Sequence, residues 1–234
     1  MNANSPDTPT CMVTGGTSGI GRETARIFAQ NGYRIATCGR DSGRLNEVQS
    51  ELGEGHIVAQ IDLTNVDQAK KFAEQVITEF GRIDVVVNNA AVSPLSPFAE
   101  LTAETFEETL NVNVRTPFYL TQVVWRKMIE QGSGVVVNIS SLAAVDPFPG
   151  FNIYGASKAW LDLLTTALSG EGQDNGIRTY SIRAGAVETP MLRGLFPDFP
   201  ADQCVSTLDI ANKVLACVNN EHKSGSHVVV ANQS

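Results

Sequence analysis

Short apolar runs alternate with helix-length amphipathic segments along almost the whole chain, and this alternation constrains the fold more than any other feature. Strand-like runs fall at 10–14, 33–38, 56–61, 83–87, 134–139, 177–182 and 226–230, with helical patterns at 19–31, 41–52, 65–80, 101–131, 152–174 and 207–220. The strand-like runs are rich in Val and Ile at successive positions and do not alternate with polar residues. Strands read that way when helices cover both faces of a parallel sheet. Strict βα alternation predicts an α/β fold: a doubly wound, Rossmann-like sheet of seven parallel strands with helices on both faces. No Pro/Gly/Ser linker, composition break or internal repeat divides it, so 10–234 reads as one domain behind a polar, flexible tail at 1–9. The least regular stretch, 184–206, carries three prolines among Met191, Leu192, Leu195, Phe196 and Phe199. A loop that apolar needs something to pack on, and a substrate loop over a crevice meets the need.

Charge narrows the function classes. Seventeen Lys and Arg stand against 25 Asp and Glu, a net charge of −8, which argues against a nucleic-acid or anionic-membrane surface. No apolar run approaches the roughly 20 residues of a membrane span. The start of the chain lacks the basic-then-apolar pattern of a signal peptide, so a cytoplasmic protein is expected. Cys11, Cys38, Cys204 and Cys217 form no Cys-x-x-Cys pair and read as buried, reduced thiols. His56, His222 and His227 have no ligand spacing, and no metal is expected.

The first strand runs into Gly15-Gly16-Thr17-Ser18-Gly19-Ile20-Gly21 and then a helix. A glycine-rich turn at a helix N-terminus turns backbone N–H groups and the helix dipole toward an anion, and in the first βα unit of such a sheet it points to a dinucleotide. Cofactor choice then depends on the end of the second strand. The expected acid is missing there, and Arg40 follows Gly39. Arg40 can fork onto a 2′-phosphate, which favours NADP(H) over NAD(H), or simply be a solvated arginine paired with Asp41. Asp62 and Leu63 follow the third strand. The Asp62 carboxylate can accept from an adenine amino group or shape the turn before the next helix.

The candidate chemistry lies further on. Tyr154 and Lys158, at i and i+4, share a helix face. A nearby ammonium lowers a tyrosine pKa from its usual value near 10 and suits it to proton transfer. Ser141, past the strand at 134–139, sits at the sheet edge where open α/β folds bind ligands, and its hydroxyl can hold a substrate oxygen. Pro117 stands four residues after Asn113 inside the 101–131 pattern. It has no N–H for the Asn113 carbonyl, which frees that carbonyl for a water in a proton relay, or merely kinks a long helix.

Together these motifs resemble the short-chain dehydrogenase/reductase family over essentially the whole chain. Thr14–Gly21 is similar to its Thr-Gly-x-x-x-Gly-x-Gly turn, Asn88-Asn89-Ala90 to its sheet-steadying motif beside the adenine, and Asn113, Ser141, Tyr154 and Lys158 to its catalytic tetrad. The resemblance implies that Asn89 and Ala90 neighbour the cofactor and that Lys158 contacts the nicotinamide ribose. It also implies a water on the Asn113 carbonyl, and Gly185, Val187 and Thr189 around the nicotinamide, with Thr189 at its carboxamide. It implies an oxidoreductase passing hydride between NADP(H) and a carbonyl or alcohol, with Tyr154 as general acid/base. The other class considered is a non-catalytic NADP(H)-binding sensor or partner protein. Ala91 replaces a usual glycine and Ala184 a usual proline, which loosens the turn under the nicotinamide, and the C-terminus lacks the common double glycine. Members include 3-oxoacyl reductases, but the 152–174 helix has no Arg or Lys after Lys158, and with Arg126 and Lys127 as the one nearby basic cluster a free small molecule is favoured. Leu142, Val145, Phe148, Phe151, Met191, Leu195 and Phe199 suggest a hydrophobic one. A homodimer or homotetramer is implied, with Leu161, Leu164 and Leu168 serving an interface or the core.

Overall fold

A computed structural model describes residues 7–232; most of the tail expected at 1–9, and the last two residues, lie outside them. Seven strands form one parallel sheet in the order β3-β2-β1-β4-β5-β6-β7. They are β1 (Thr10–Thr14), β2 (Arg34–Gly39), β3 (Ile57–Gln60), β4 (Val85–Asn88), β5 (Gly134–Ser141), β6 (Ile177–Ala184) and β7 (His227–Val230). Between them lie α1 (Gly19–Gln30), α2 (Ser42–Leu52), α3 (Val66–Phe80), α4 (Ala103–Leu110), α5 (Thr116–Gln131), α6 (Asn152–Gly172), α7 (Pro190–Leu195) and α8 (Thr207–Val218). This is the doubly wound α/β fold that the strand pattern predicts.

Both faces of the central strands are buried, and the pleat explains why they carry apolar residues at successive positions. Cys11 and Val13 point into one core with α1 and α8, while Met12 between them points into the other with α3 and α5. Val85 and Val87 oppose Val86 in the same way, as Val135 and Val137 oppose Val136. Period-2 geometry and two helical layers leave these central strands no solvent face.

Three expectations need correction. The single helix expected at 101–131 is interrupted by a π-helical turn, Asn111–Arg115, in which the Thr116 N–H reaches back to the Asn111 carbonyl. Pro117 offers no N–H to the carbonyl four residues back, so the chain widens there instead of continuing an α-helix. In the 184–206 stretch, Pro190 starts the short helix α7, with Thr189 as its N-cap. Six residues show no amphipathic period, so the pattern missed it. Strands β5 and β6 also run two residues further than expected, because Ser140 pairs with Arg183 and Ser141 with Ala184.

Strand order reverses between β2-β1 and β4, and a crevice opens at the carboxyl ends of these strands, where open α/β sheets bind ligands.

Candidate active site

The crevice encloses about 820 Å³ and runs from the glycine turn to a cluster of phenylalanines. Gly15, Thr17, Ser18, Gly19, Ile20, Arg40, Asp62, Leu63, Asn89, Ala90, Ser141, Tyr154, Lys158, Gly185, Val187 and Thr189 all line it. Two of the expected residues do not: Gly21 and Asn113 lie behind its wall.

At one end, α1 presents an N-terminus without a side-chain cap, whereas Asp41, Asn65 and Ser206 cap α2, α3 and α8. The first N–H groups of α1 therefore have no side-chain acceptor, and Ser18, Gly19 and Ile20 line the crevice. Gly19, at φ +53, takes a conformation that a side chain would strain. Gly21 makes a close approach: a β-carbon there would sit 2.4 Å from both the Gly15 carbonyl and the Asn89 amide. Asn89 fixes the turn by donating from Nδ2 to the Thr14 and Gly15 carbonyls at 2.8 and 3.2 Å. Thr14 Oγ1 accepts from the backbone of Asn89 and Ala90 at 3.0 and 3.1 Å. Behind them Asn88 reaches Thr121 and Asn138, and Asn138 reaches Thr165, a buried polar ladder that ties β4 and β5 to α5 and α6.

Arg40 is exposed at the crevice, and its side chain is not paired with Asp41. That carboxylate instead caps α2, accepting from the Arg44 N–H at 2.9 Å. Arg44 lines the crevice beside Arg40, a second cation the sequence reading missed. It lies in the first turn of α2, just past the strand end that carries Arg40. Asp62 shapes the turn before α3, its Oδ1 accepting from the Thr64 N–H at 3.0 Å, and the residue also lines the crevice. The Thr64 backbone N–H, followed by Arg40 at longer range, holds its carboxyl below the usual range.

At the other end, Ser141 closes β5, its Oγ accepting from the Ala143 N–H at 3.1 Å. Tyr154 and Lys158 occupy the first turns of α6. The Lys158 side chain is buried and donates to the Ile139 carbonyl at 2.8 Å, with Nζ 5.7 Å from the Tyr154 ring centre. Burial lowers its pKa from 10.5 to about 8, and the charge of Asp162, one helical turn on, resists the fall. Asp162 is itself buried and held by Arg183 Nε at 2.7 Å, an ion pair the sequence reading also missed. The tyrosine departs from expectation. Its pKa is raised, because the ring is packed among side chains of the crevice wall while only part of its surface meets water; a hydrogen bond with Ser141 opposes the rise. Desolvation outweighs that hydrogen bond here.

The Asn113 side chain is committed to structure. Its carboxamide accepts from the Val92 N–H and donates to the Val92 carbonyl, both at 2.9 Å, and donates to Ser157 Oγ at 3.0 Å. Ser157 in turn donates to the Tyr154 carbonyl at 2.7 Å, so Asn113 braces the π turn against the helix that carries the tyrosine. Ala184 does not loosen its turn, since it ends β6 between Ser141 and Val230 and the following Gly185 N–H bonds Val230 at 2.9 Å. Among the four thiols Cys204 is only partly buried. Among the described residues no group of three or more His, Cys, Asp or Glu converges on a metal-sized site, and no helix is long and apolar enough to cross a membrane.

The short chain dehydrogenase family model matches residues 9–199, and the chain belongs to that family. It is similar to the 3-oxoacyl-(acyl-carrier-protein) reductase of Thermotoga maritima, 34% identical over 190 residues covering 79% of this chain and 76% of that one. It is also similar to carbonyl reductase (NADPH) 2 of Sus scrofa, 30% identical over 92% of this chain and 91% of the relative. A solved short chain dehydrogenase/reductase family protein superposes with a TM-score of 0.88 at 33% identity, covering 95% of each chain. The chain is a short-chain dehydrogenase/reductase, an oxidoreductase of carbonyl or CH–OH groups.

Proposed function

We propose that this protein is an NADP(H)-dependent reductase or dehydrogenase of a small carbonyl or alcohol compound, with Tyr154 as general acid/base. The observation that carries the reading is that Ser141, Tyr154 and Lys158 line one end of the crevice whose other end holds the glycine turn, Arg40 and Arg44. The uncapped α1 terminus and the close approach at Gly21 suit a pyrophosphate, and two arginines beside the second strand suit a 2′-phosphate. Asp62, Leu63, Asn89 and Ala90 would flank the adenosine; Gly185, Val187 and Thr189 the nicotinamide.

When bound, the dinucleotide supplies or accepts the hydride. The chain's own groups handle the oxygen. Ser141 Oγ holds the substrate oxygen, and the Tyr154 phenol donates its proton as that oxygen gains charge. A phenol whose pKa is raised stays protonated at neutral pH, the form a reductase needs. A cationic Lys158 stabilises the tyrosinate left behind, and Asp162 helps keep that lysine charged. Asn113 acts through its backbone carbonyl and through its hold on α6.

Tyr154→Phe tests the assignment: turnover should fall by about 10²- to 10⁴-fold while NADPH still binds. Near-normal kcat in that variant would show that the acid is another group. We also propose a homo-oligomer. Leu161, for which interface and core were both open, is in the core, whereas Leu163 on the same helix is 71% exposed, and Phe118 and Tyr119 of α5 are also exposed. Sedimentation as a monomer would exclude this.

A further inference from the structure

We propose that the substrate end of the crevice selects an uncharged ketone or aldehyde carrying a flat aromatic or conjugated ring beside the carbonyl, and turns away carboxylates and phosphate-bearing thioesters. This rests on the reading of the crevice given above and concerns what reaches Tyr154.

Ring geometry is the first ground. Phe151 lies 5.2 Å from the Tyr154 ring, Phe148 lies 4.4 Å from Phe151, and Phe196 stands 6.0 and 6.1 Å from these two. The cluster therefore continues from the phenol that would donate the proton. Aromatic rings stack or meet edge-to-face at these separations, and a substrate ring can join the set. Phe148 is 50% exposed and Met191 42%, a cost in water that an inserted ring would relieve.

The cluster is also held in place. On one side the Asn152 side chain donates to the Ser96 carbonyl at 2.9 Å and the Ser96 N–H to the Gly150 carbonyl at 3.2 Å. On the other, Arg193 braces the α7 segment from within, bonding the Glu188 carboxylate and the Pro197 and Phe199 carbonyls. The bridge between Val187 and Val205 closes the base of that segment. A preformed slot selects by shape at little ordering cost.

Charge is the second ground. The cations lining the crevice are Arg40, Arg44 and Lys158. The first two stand beside the second strand, and the third is buried on the Ile139 carbonyl. The substrate end instead carries Asp146 at its mouth. The 184–206 segment adds Asp198 and Asp202, while its Glu188 and Arg193 pair with each other. A carboxylate entering there loses water and gains no partner, and an acidic carrier protein meets like charge.

The test follows NADPH oxidation with four probes: ethyl benzoylformate, benzoylformate, ethyl pyruvate and acetoacetyl-CoA. The first has ring and no charge, the second ring and charge, the third neither, and the fourth phosphates and a thioester. The expected kcat/KM for ethyl benzoylformate exceeds each of the others by at least about tenfold. Intrinsic reactivity differs among probes, so variants supply the control. Asp146→Lys, a substitution at an exposed position, should raise the benzoylformate-to-ester ratio by about three- to tenfold, less at high salt. Phe148→Ala should lower the ratio of ethyl benzoylformate to ethyl pyruvate at least fivefold, chiefly through KM. Preference for benzoylformate, ethyl pyruvate or acetoacetyl-CoA, or ratios that neither variant moves, would overturn the substrate class alone. Tight NADPH binding with none of the four reduced would overturn the underlying reading and this proposal with it.

Discussion

Replacing Lys158 with methionine should abolish turnover yet make the cofactor-free protein more stable. The side chain is 2% exposed and its amine has one hydrogen-bond acceptor in the structure, the Ile139 carbonyl. Burial holds its pKa near 8 against an ordinary 10.5. At about 1.4 kcal/mol per pH unit that gap is a stability penalty of about 3 kcal/mol at neutral pH. Methionine is similar in length, needs no water and carries no charge, but it leaves the Ile139 carbonyl without its donor, a loss of about 1 kcal/mol. The net gain of about 2 kcal/mol corresponds to a Tm rise of about 4–8 °C for a chain of this size. The sign with pH is fixed by the direction of the shift. Below about pH 8 both folded and unfolded chains hold the proton, and the penalty is complete. Between about 8 and 10.5 the unfolded chain binds the proton more strongly than the folded one, so wild-type stability rises with pH relative to the variant. Thermal unfolding followed by circular dichroism, without cofactor, should show the variant ahead near pH 7 and the gap nearly closed near pH 10. A variant that melts below wild type, or a gap that is the same at both pH values, would refute the account of Lys158 as a destabilising group retained for function.

Other outcomes follow from the same geometry. Arg40→Ser should weaken NADPH by about 10- to 100-fold and leave NADH nearly unchanged, measured as KM for each cofactor; equal losses would mean that Arg40 does not face a 2′-phosphate. Asn113→Ala removes three hydrogen bonds and orphans the Val92 N–H and carbonyl, so it should cost about 2–4 kcal/mol and lower Tm by more than about 5 °C; an unchanged Tm would mean the π turn needs no brace. Asp162→Leu leaves Arg183 without its buried partner and should cost about 3–5 kcal/mol in denaturant unfolding, where a loss below about 1 kcal/mol would count against the pair.

What could be read from the sequence was what depends on spacing along the chain. The glycine turn, the Tyr154–Lys158 pair and the apolar strands each lie within one local stretch, where period and composition suffice. Pro117 likewise marked a freed carbonyl or a kink, but not the π turn, because the brace reaches Val92 and Ser157 from distant parts of the chain. The strand ends were lost for a related reason: Ser140, Ser141 and Arg183 are polar, and only their pairing across β5 and β6 makes them strand. The pKa of Tyr154 is the clearest case. A lysine at i+4 is visible in the sequence and argues for a lowered value, yet the amine is turned to the Ile139 carbonyl and desolvation raises the phenol. Burial is a property of the assembled fold, set by Phe151 and its neighbours around the ring as well as by α6. The sequence could therefore nominate Tyr154, while the upward direction of its pKa depended on the tertiary packing.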